Sequence, residues 1–137
     1  MSGSVQIDGG NGEEDIDQRD ALPPGVEVFR IDGPLFFGVA NELFDTLRRI
    51  GASPKVVILR MRRVPLIDAS GLKTIEEMVR QAEAGGTRLV IAGIQPQPLA
   101  MLGHAGLGRG SARVTHADNF EDALRRASAI VGQAASA

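Results

Sequence analysis

The stretch Lys55–Gly86, KVVILRMRRVPLIDASGLKTIEEMVRQAEAGG, encodes a strand, a polar turn and a helix in succession. Val56–Leu59 is a run too short for a helix and apolar on both faces, which predicts a central strand covered by helices on each side. From Leu72 to Ala82 apolar residues recur at helical spacing, so an amphipathic helix follows. Between them lies Asp68-Ala69-Ser70-Gly71, and because Asp and Ser are preferred N-caps, the turn should place polar groups at the helix N-terminus.

The same alternation of strands with helices continues on both sides of this stretch. Further strands are predicted at Val26–Ile31, at Arg88–Ala92 and, as a short edge strand, at Arg113–Thr115. Further helices are predicted at about 38–51, after Gln95 and after Asp118. At the last of these, Asp118 and Glu121 resemble a capping box. Leu35-Phe36-Phe37 fits either a short strand or the approach to a helix. Alternating strands and helices predict an α/β fold with parallel pairing.

Composition limits the domain organisation and the class of protein. The 137 residues fit one domain, which we place at residues 25–132, with 1–24 as a disordered tail or linker and 133–137 as a frayed C-terminus. A net charge of −2 and the absence of Trp and Tyr argue against nucleic-acid binding. The absence of Cys excludes disulfides, and no run of 18 apolar residues is present, so the chain is expected to be soluble.

Catalytic and metal-binding motifs are not apparent. The chain lacks a GxxxxGK[ST] phosphate loop, and His104 and His116 have no partners at metal-ligand spacing, so both are interpreted as loop or surface residues. Asp68 and Ser70 have no nearby general base in sequence, which argues against a nucleophilic triad. We therefore expect no catalytic residue, no metal and no cofactor.

Two groups of residues are candidates for contacts with other molecules. Arg60, Arg62 and Arg63 lie at the carboxyl end of the central strand, where open α/β sheets bind ligands, although a solvated loop is the alternative. Phe36 and Phe37 are adjacent, and neighbours in extended chain point to opposite faces, so one should stay accessible for docking. The alternative for this pair is a local helix start that buries both.

Two sequences in the chain resemble a known family. VFRIDGPLFF at Val28–Phe37, and Val56–Gly71 ending in PLIDASG, are similar to the STAS domain at the cytoplasmic C-terminus of SulP-type sulfate permeases and related anion transporters. The resemblance extends from about Pro24 to Val131. It implies a small mixed β-sheet with about four helices mainly on one side. It also implies a non-catalytic regulatory domain on the cytoplasmic side of the inner or plasma membrane, soluble as an isolated fragment.

The other branch of this family, the bacterial anti-sigma factor antagonists, carries a serine in the turn before its second long helix that a partner kinase phosphorylates. That serine falls on Ser70, preceded by Asp68, which the resemblance implies as a regulatory position. The hairpin sequence DGPLFF at Asp32–Phe37 favours the permease branch, with a free-standing antagonist as the alternative. The implied partner is the membrane domain of a parent transporter or a second copy, with another cytosolic protein or a nucleotide as further candidates.

Overall fold

The computed structural model describes residues 4–7, 22–36, 42, 45 and 54–136, which form five strands and three helices. In chain order these are β1 (Ser4–Ile7), β2 (Val26–Asp32), β3 (Val56–Arg63), α1 (Ala69–Gly85), β4 (Arg88–Ala92), α2 (Pro96–His104), β5 (Thr115–Ala117) and α3 (Phe120–Ser136). The helix predicted at about 38–51 lies outside the described residues except for Glu42 and Asp45, which are helical and exposed. Within the described residues three helices are given with their full bounds, so the predicted count of about four is slightly off for this part of the chain.

The strands form one mixed sheet in the order β1-β2-β3-β4-β5. β1 runs antiparallel to β2, whereas β2, β3, β4 and β5 are parallel to one another. The central strand is β3, as predicted: Val56–Leu59 are all buried, and the strand continues beyond them to Arg63. The predicted α/β class and mixed sheet are confirmed.

The helices cover both faces of the sheet, because each face of β3 is apolar and needs its own layer. On one face α1 and α2 pack over alternate strand residues such as Leu59 and Ile91, with Ile75 of α1 and Leu102 of α2 in the same cluster. On the other face α3 packs Ala123 and Ala127 over a second cluster that includes Val28, Ile58 and Val90. Two of the three described helices thus share one side, while α3 occupies the other.

The edges of the fold differ from the prediction. Ser4–Ile7 forms β1 and pairs with Phe29–Asp32, so the interpretation of residues 1–24 as a tail or linker was wrong for these four residues. SVQI has β-forming Val and Ile, but its partner is distant in sequence, so local composition gave no signal of pairing. At the other end, α3 extends past Gly132 to Ser136, where a frayed C-terminus was predicted.

The start of α3 is capped one residue later than the predicted pair. Asn119 Oδ1 accepts a hydrogen bond from the Asp122 backbone N–H at 2.8 Å, and Asp122 Oδ2 accepts one from the Asp118 backbone N–H at 3.1 Å. This bond to Asp118, together with the nearby Arg126, lowers the pKa of the Asp122 carboxyl. The edge strand β5 is likewise displaced from the predicted Arg113–Thr115 to Thr115–Ala117.

Gly71 allows the segment after β2 to approach the N-terminus of α1. Leu35 donates its N–H to the Leu66 carbonyl at 2.9 Å and forms an isolated parallel bridge with Ile67. A Cβ at Gly71 would lie 2.1 Å from the Leu35 carbonyl oxygen, so a side chain cannot fit unless the backbone moves. The glycine is therefore required by close packing rather than by its dihedral angles.

His116 is buried in β5, whereas the sequence was interpreted as placing it in a loop or at the surface. Its Nε2 lies 2.9 Å from the Leu107 carbonyl oxygen, which can only accept, so Nε2 carries the proton. Nδ1 is buried without a hydrogen-bond partner in the part of the chain that is described. Burial lowers the pKa of His116, the bond to Leu107 opposes this shift, and the Arg109 cation adds to it.

We expect Gly71→Ala to destabilise the domain by about 1–3 kcal/mol, the usual cost of forcing extra atoms into a packed site. The matched control is Gly103→Ala in α2, where an added Cβ meets no atom within 4 Å. This control should be neutral or slightly stabilising, because Ala is the better helix former by about 1 kcal/mol. Urea unfolding of both variants measures the difference in their free energies of unfolding. Equal stabilities would contradict the close approach of Gly71 to the Leu35 carbonyl.

We expect His116 to make the domain less stable in acid. Its folded pKa is depressed, so the unfolded chain binds more protons: stability is complete above the unfolded pKa of about 6.5 and is lost as pH falls below it. Between about pH 7.5 and about pH 5.5, the free energy of unfolding should fall less in His116→Gln than in the parent. His104→Gln, at an exposed histidine, should behave like the parent. If the free energy of unfolding depends on pH identically in all three proteins, His116 is not the source of the loss of stability in acid.

Candidate functional site

The turn between β3 and α1 is held by Asp68, which is the N-cap of the helix. Its backbone is extended, and its Oδ1 accepts the Gly71 N–H at 2.8 Å. A capping carboxylate also interacts favourably with the positive end of the helix dipole. Of the two cap residues that the sequence offered, the structure uses Asp68.

Ser70 therefore lies inside the first turn of α1 and is free of the capping role. It is half-buried, and its hydroxyl makes no hydrogen bond to any residue that the structure describes. Unbonded and partly accessible, the hydroxyl can be changed without breaking a described contact. No histidine or carboxylate within the described ranges is bonded to it as a general base, so the geometry gives no activated nucleophile.

Gln97 of α2 fixes the chain just before this turn, a contact that the sequence analysis missed. Its side-chain Oε1 accepts the Ile67 N–H at 2.9 Å, and its Nε2 donates to the Ile67 carbonyl at 3.1 Å. Both backbone groups of Ile67 are thus satisfied by one amide. No local sequence pattern could predict this contact, because the two residues are separated by 30 positions.

An apolar patch lies beside the same turn. Phe36 is 41% exposed and Leu66 is 46% exposed, and the two are the exposed large hydrophobic residues found in the described part of the chain. The Leu35–Leu66 backbone hydrogen bond brings their segments together. Phe37, the other candidate for docking, lies outside the described residues.

Four arginines form a second feature, which we call the arginine pocket. Arg30, Arg60, Arg62 and Arg63 line a cavity of about 300 Å³ at the carboxyl ends of β2 and β3. The three predicted arginines are therefore brought together, and Arg30 joins them because the parallel register pairs it with Arg60. Periodicity could not supply that register in advance. Neither Asp68 nor Ser70 lines this pocket.

A neighbouring cavity of about 410 Å³ shares Arg60 and Arg62 with the arginine pocket and extends to Gly93, Asn119 and Phe120. The Arg60 guanidinium carbon lies 4.2 Å from the centre of the Phe120 ring, a cation–π contact that holds this side chain in place. The Arg62 backbone carbonyl accepts a hydrogen bond from the Gln95 side-chain Nε2 at 2.7 Å, which holds the main chain at this end of β3. The sequence did not indicate that Phe120 and Gln95 would contact these arginines.

Within the described residues, the helices are all too short or too polar to cross a lipid bilayer. Histidine, aspartate and glutamate side chains also do not gather there into a group that could hold a metal ion.

Comparison with known proteins identifies the family. The family model for the STAS domain matches residues 21–127. The crystal structure of a sulfate transporter family protein from Wolinella succinogenes is 39% identical, with a TM-score of 0.74 over 81% of this chain and 91% of that one. The STAS domain of a SulP transporter from Vibrio cholerae is 28% identical, with a TM-score of 0.69 over 82% of this chain and 88% of that one.

A curated relative connects the domain to a longer protein. The putative sulfate transporter YvdB of Bacillus subtilis is 33% identical over 85 residues, which make up 61% of this chain. The chain spans only 16% of that relative's length. Since the family model covers most of the fold, from before β2 into α3, the chain belongs to the STAS domain family.

Proposed function

We propose that this chain is the regulatory domain of a SulP-type sulfate or related anion transporter and that it acts by binding partners, without catalysis. The observation that carries the proposal is the similarity of the folded unit to proteins described as sulfate transporters. In this assignment the domain lies on the cytoplasmic side of the membrane, next to the membrane-spanning part of the same transporter.

The site geometry is consistent with a binding role. The N-terminus of α1 carries an N-cap carboxylate at Asp68 and, in the first turn, the Ser70 hydroxyl, and no described residue is bonded to that hydroxyl as a base that would activate it. Just before the turn, the side-chain amide of Gln97 and the backbone of Leu35 hold Ile67 in place. A rigid surface with exposed groups suits recognition by another protein.

The docking surface is the patch formed by Phe36 and Leu66. Both residues are more than two-fifths exposed, and their segments are joined by the Leu35–Leu66 hydrogen bond. Exposed apolar patches commonly mark interaction sites. The proposed occupant is the membrane domain of the parent transporter. A second copy of this chain is the competing occupant. It would be revealed if the apparent molecular mass of the isolated chain in solution rises with its concentration.

Ser70 is the proposed regulatory position, with Asp68 as its neighbour. A phosphate on Ser70 would add about −1.5 to −2 charges near the positive end of the helix dipole, and the nearby Asp68 carboxylate would oppose it by repulsion. Each effect is about 1 kcal/mol, so fold stability should change little while the charge of the surface changes greatly. Regulation would thus alter binding without altering the fold.

The alternative is a free-standing anti-sigma factor antagonist, in which phosphorylation of Ser70 would control binding to a kinase-like partner. A nucleotide-binding module is a further alternative. The sequence DGPLFF at Asp32–Phe37 favours the transporter, since it is the feature by which the sequence resembles the permease branch.

We expect hydrogen exchange to slow at residues 33–36 and 64–67 when the chain is part of the intact transporter, because docking would shield the Phe36 patch. Residues 120–131 of α3 serve as the internal control, since this helix packs on the other face of the sheet. Equal exchange of the isolated and intact proteins at the patch would exclude docking there.

We expect Ser70→Ala to change the free energy of unfolding by less than about 0.5 kcal/mol, because the hydroxyl has no described partner. Asp68→Ala is the control that removes the cap, and it should cost about 1 kcal/mol. Ser70→Glu should also fold, since an acidic residue in the first turn is tolerated.

In the intact transporter, Ser70→Glu should change the rate of anion uptake whereas Ser70→Ala should resemble the unmodified protein. Thermal melting of the isolated chain and uptake by the transporter provide the two measurements. If Ser70→Ala and Ser70→Glu both transport like the parent, Ser70 has no regulatory role.

A further inference from the structure

Two glutamines at the start of α2 hold the chain where it leaves β3. The Gln95 side-chain Nε2 donates to the Arg62 carbonyl at 2.7 Å. The Gln97 side-chain amide accepts the Ile67 N–H at 2.9 Å and donates to the Ile67 carbonyl at 3.1 Å. Residues 62–67, which we call the exit segment, are therefore fixed at both ends by side chains of one short helix.

Two prolines explain why the Gln95 side chain is available for this contact. Gln95 is the N-cap of α2, where a side chain usually accepts a hydrogen bond from a backbone N–H of the first turn. Pro96 and Pro98 have no N–H, so two of the donors at the helix start are missing. The Leu99 N–H already donates to the Gln95 carbonyl at 3.0 Å. The Gln95 side chain makes no capping bond and reaches β3 instead.

The glutamines supply bonds to the exit segment beyond the point where β4 ends. The pairing of β3 with β4 extends only to Arg60 and Ala92. After that point, the neighbouring segment 33–35 bonds to the carbonyls of Arg63 and Leu66. A glutamine amide has both a donor and an acceptor, so it can bond to a main chain as a strand would. The start of α2 thus continues the support that β4 gives to β3.

This support sets the direction of Leu66, one of the two exposed residues of the apolar patch. Ile67 is buried, and its parallel bridge to Leu35 indicates an extended chain. Neighbours in an extended chain point to opposite sides, so holding Ile67 in the core directs Leu66 outward. The Leu66 carbonyl also accepts the Leu35 N–H, which keeps the segment of Phe36 beside it. Gln97 therefore acts on the patch through Ile67.

We propose that Gln95 and Gln97 form a clamp that holds the exit segment in the conformation in which Leu66 docks, with Gln97 as the main positioning residue. This inference rests on the proposed docking of Phe36 and Leu66 to the membrane domain, and it identifies the residues that set the shape of that surface. A segment that is already ordered loses less conformational freedom on binding, so the clamp strengthens docking.

Hydrogen exchange of the isolated chain, followed at single residues by NMR, tests the clamp itself. Gln97→Ala removes both bonds to Ile67 and should raise the exchange rate of the Ile67 N–H about tenfold or more, because this buried amide loses its acceptor. At neutral pH Gln97→Glu keeps the size of the side chain but has no donor for the Ile67 carbonyl, so it should also raise this rate. A side chain that only fills space would leave Gln97→Glu like the parent.

A milder variant and two controls separate local opening from general unfolding. Gln95→Ala removes a single bond and should speed exchange at residues 62–64. The matched control is Gln81→Ala, at an exposed glutamine of α1 with no described bond to the exit segment, and its exchange should equal that of the parent. Residues 120–131 of α3, on the other face of the sheet, should exchange equally in all of these proteins.

The intact transporter tests whether docking depends on the clamp. In the parent, docking should slow exchange at residues 33–36, which the Gln97 side chain does not contact through any described hydrogen bond. Gln97→Ala should abolish at least half of this slowing, whereas Gln81→Ala should keep it.

The clamp is overturned if the Ile67 N–H of the isolated chain exchanges in both Gln97 variants as it does in the parent. Its role in docking is overturned if exchange of the isolated chain rises but the slowing at residues 33–36 in the transporter is unchanged. If the parent itself shows no slowing there, the docking assignment fails, and the isolated chain still decides whether Gln97 holds the exit segment.

Discussion

Burial of both faces of β3 is the constraint on which the rest of this structure depends. Val57 and Leu59 require α1 and α2 on one side, while Val56 and Ile58 require α3 on the other. A strand covered in this way is paired in parallel, and parallel pairing directs the carboxyl ends of β2, β3, β4 and β5 to one edge. The capped turn and the arginine pocket both lie beyond that edge, so the same burial that stabilises the domain also gathers its candidate sites.

Sequence patterns predicted the elements whose signal is local and missed those that depend on distant partners. β4 has the predicted limits, Arg88–Ala92, because these five residues have a clear apolar strand pattern and lie between glycine-containing turns. β1 was missed because its pairing with β2 crosses a long stretch of polar chain. His116 was placed at the surface because a single polar residue in a short edge strand does not reveal which loop will cover it.

The candidate sites show the same limit in more detail. Asp68 and Ser70 are equally good N-caps by composition, and only the geometry assigns the bond to Asp68. Arg30 could not be added to the other arginines without the register between β2 and β3. Residue types and their order in the chain therefore identify a polar edge, but the pairing of strands decides which side chains act together.

The net charge of the chain does not reveal where its arginines gather. The whole chain carries −2, yet the described carboxyl edge concentrates four arginines around one carboxylate, while acidic groups such as Glu83 and Asp122 pair with arginines elsewhere. A domain with a mildly acidic composition can thus gather four arginines at one edge, and the fold, through the register between two parallel strands, is what places them together.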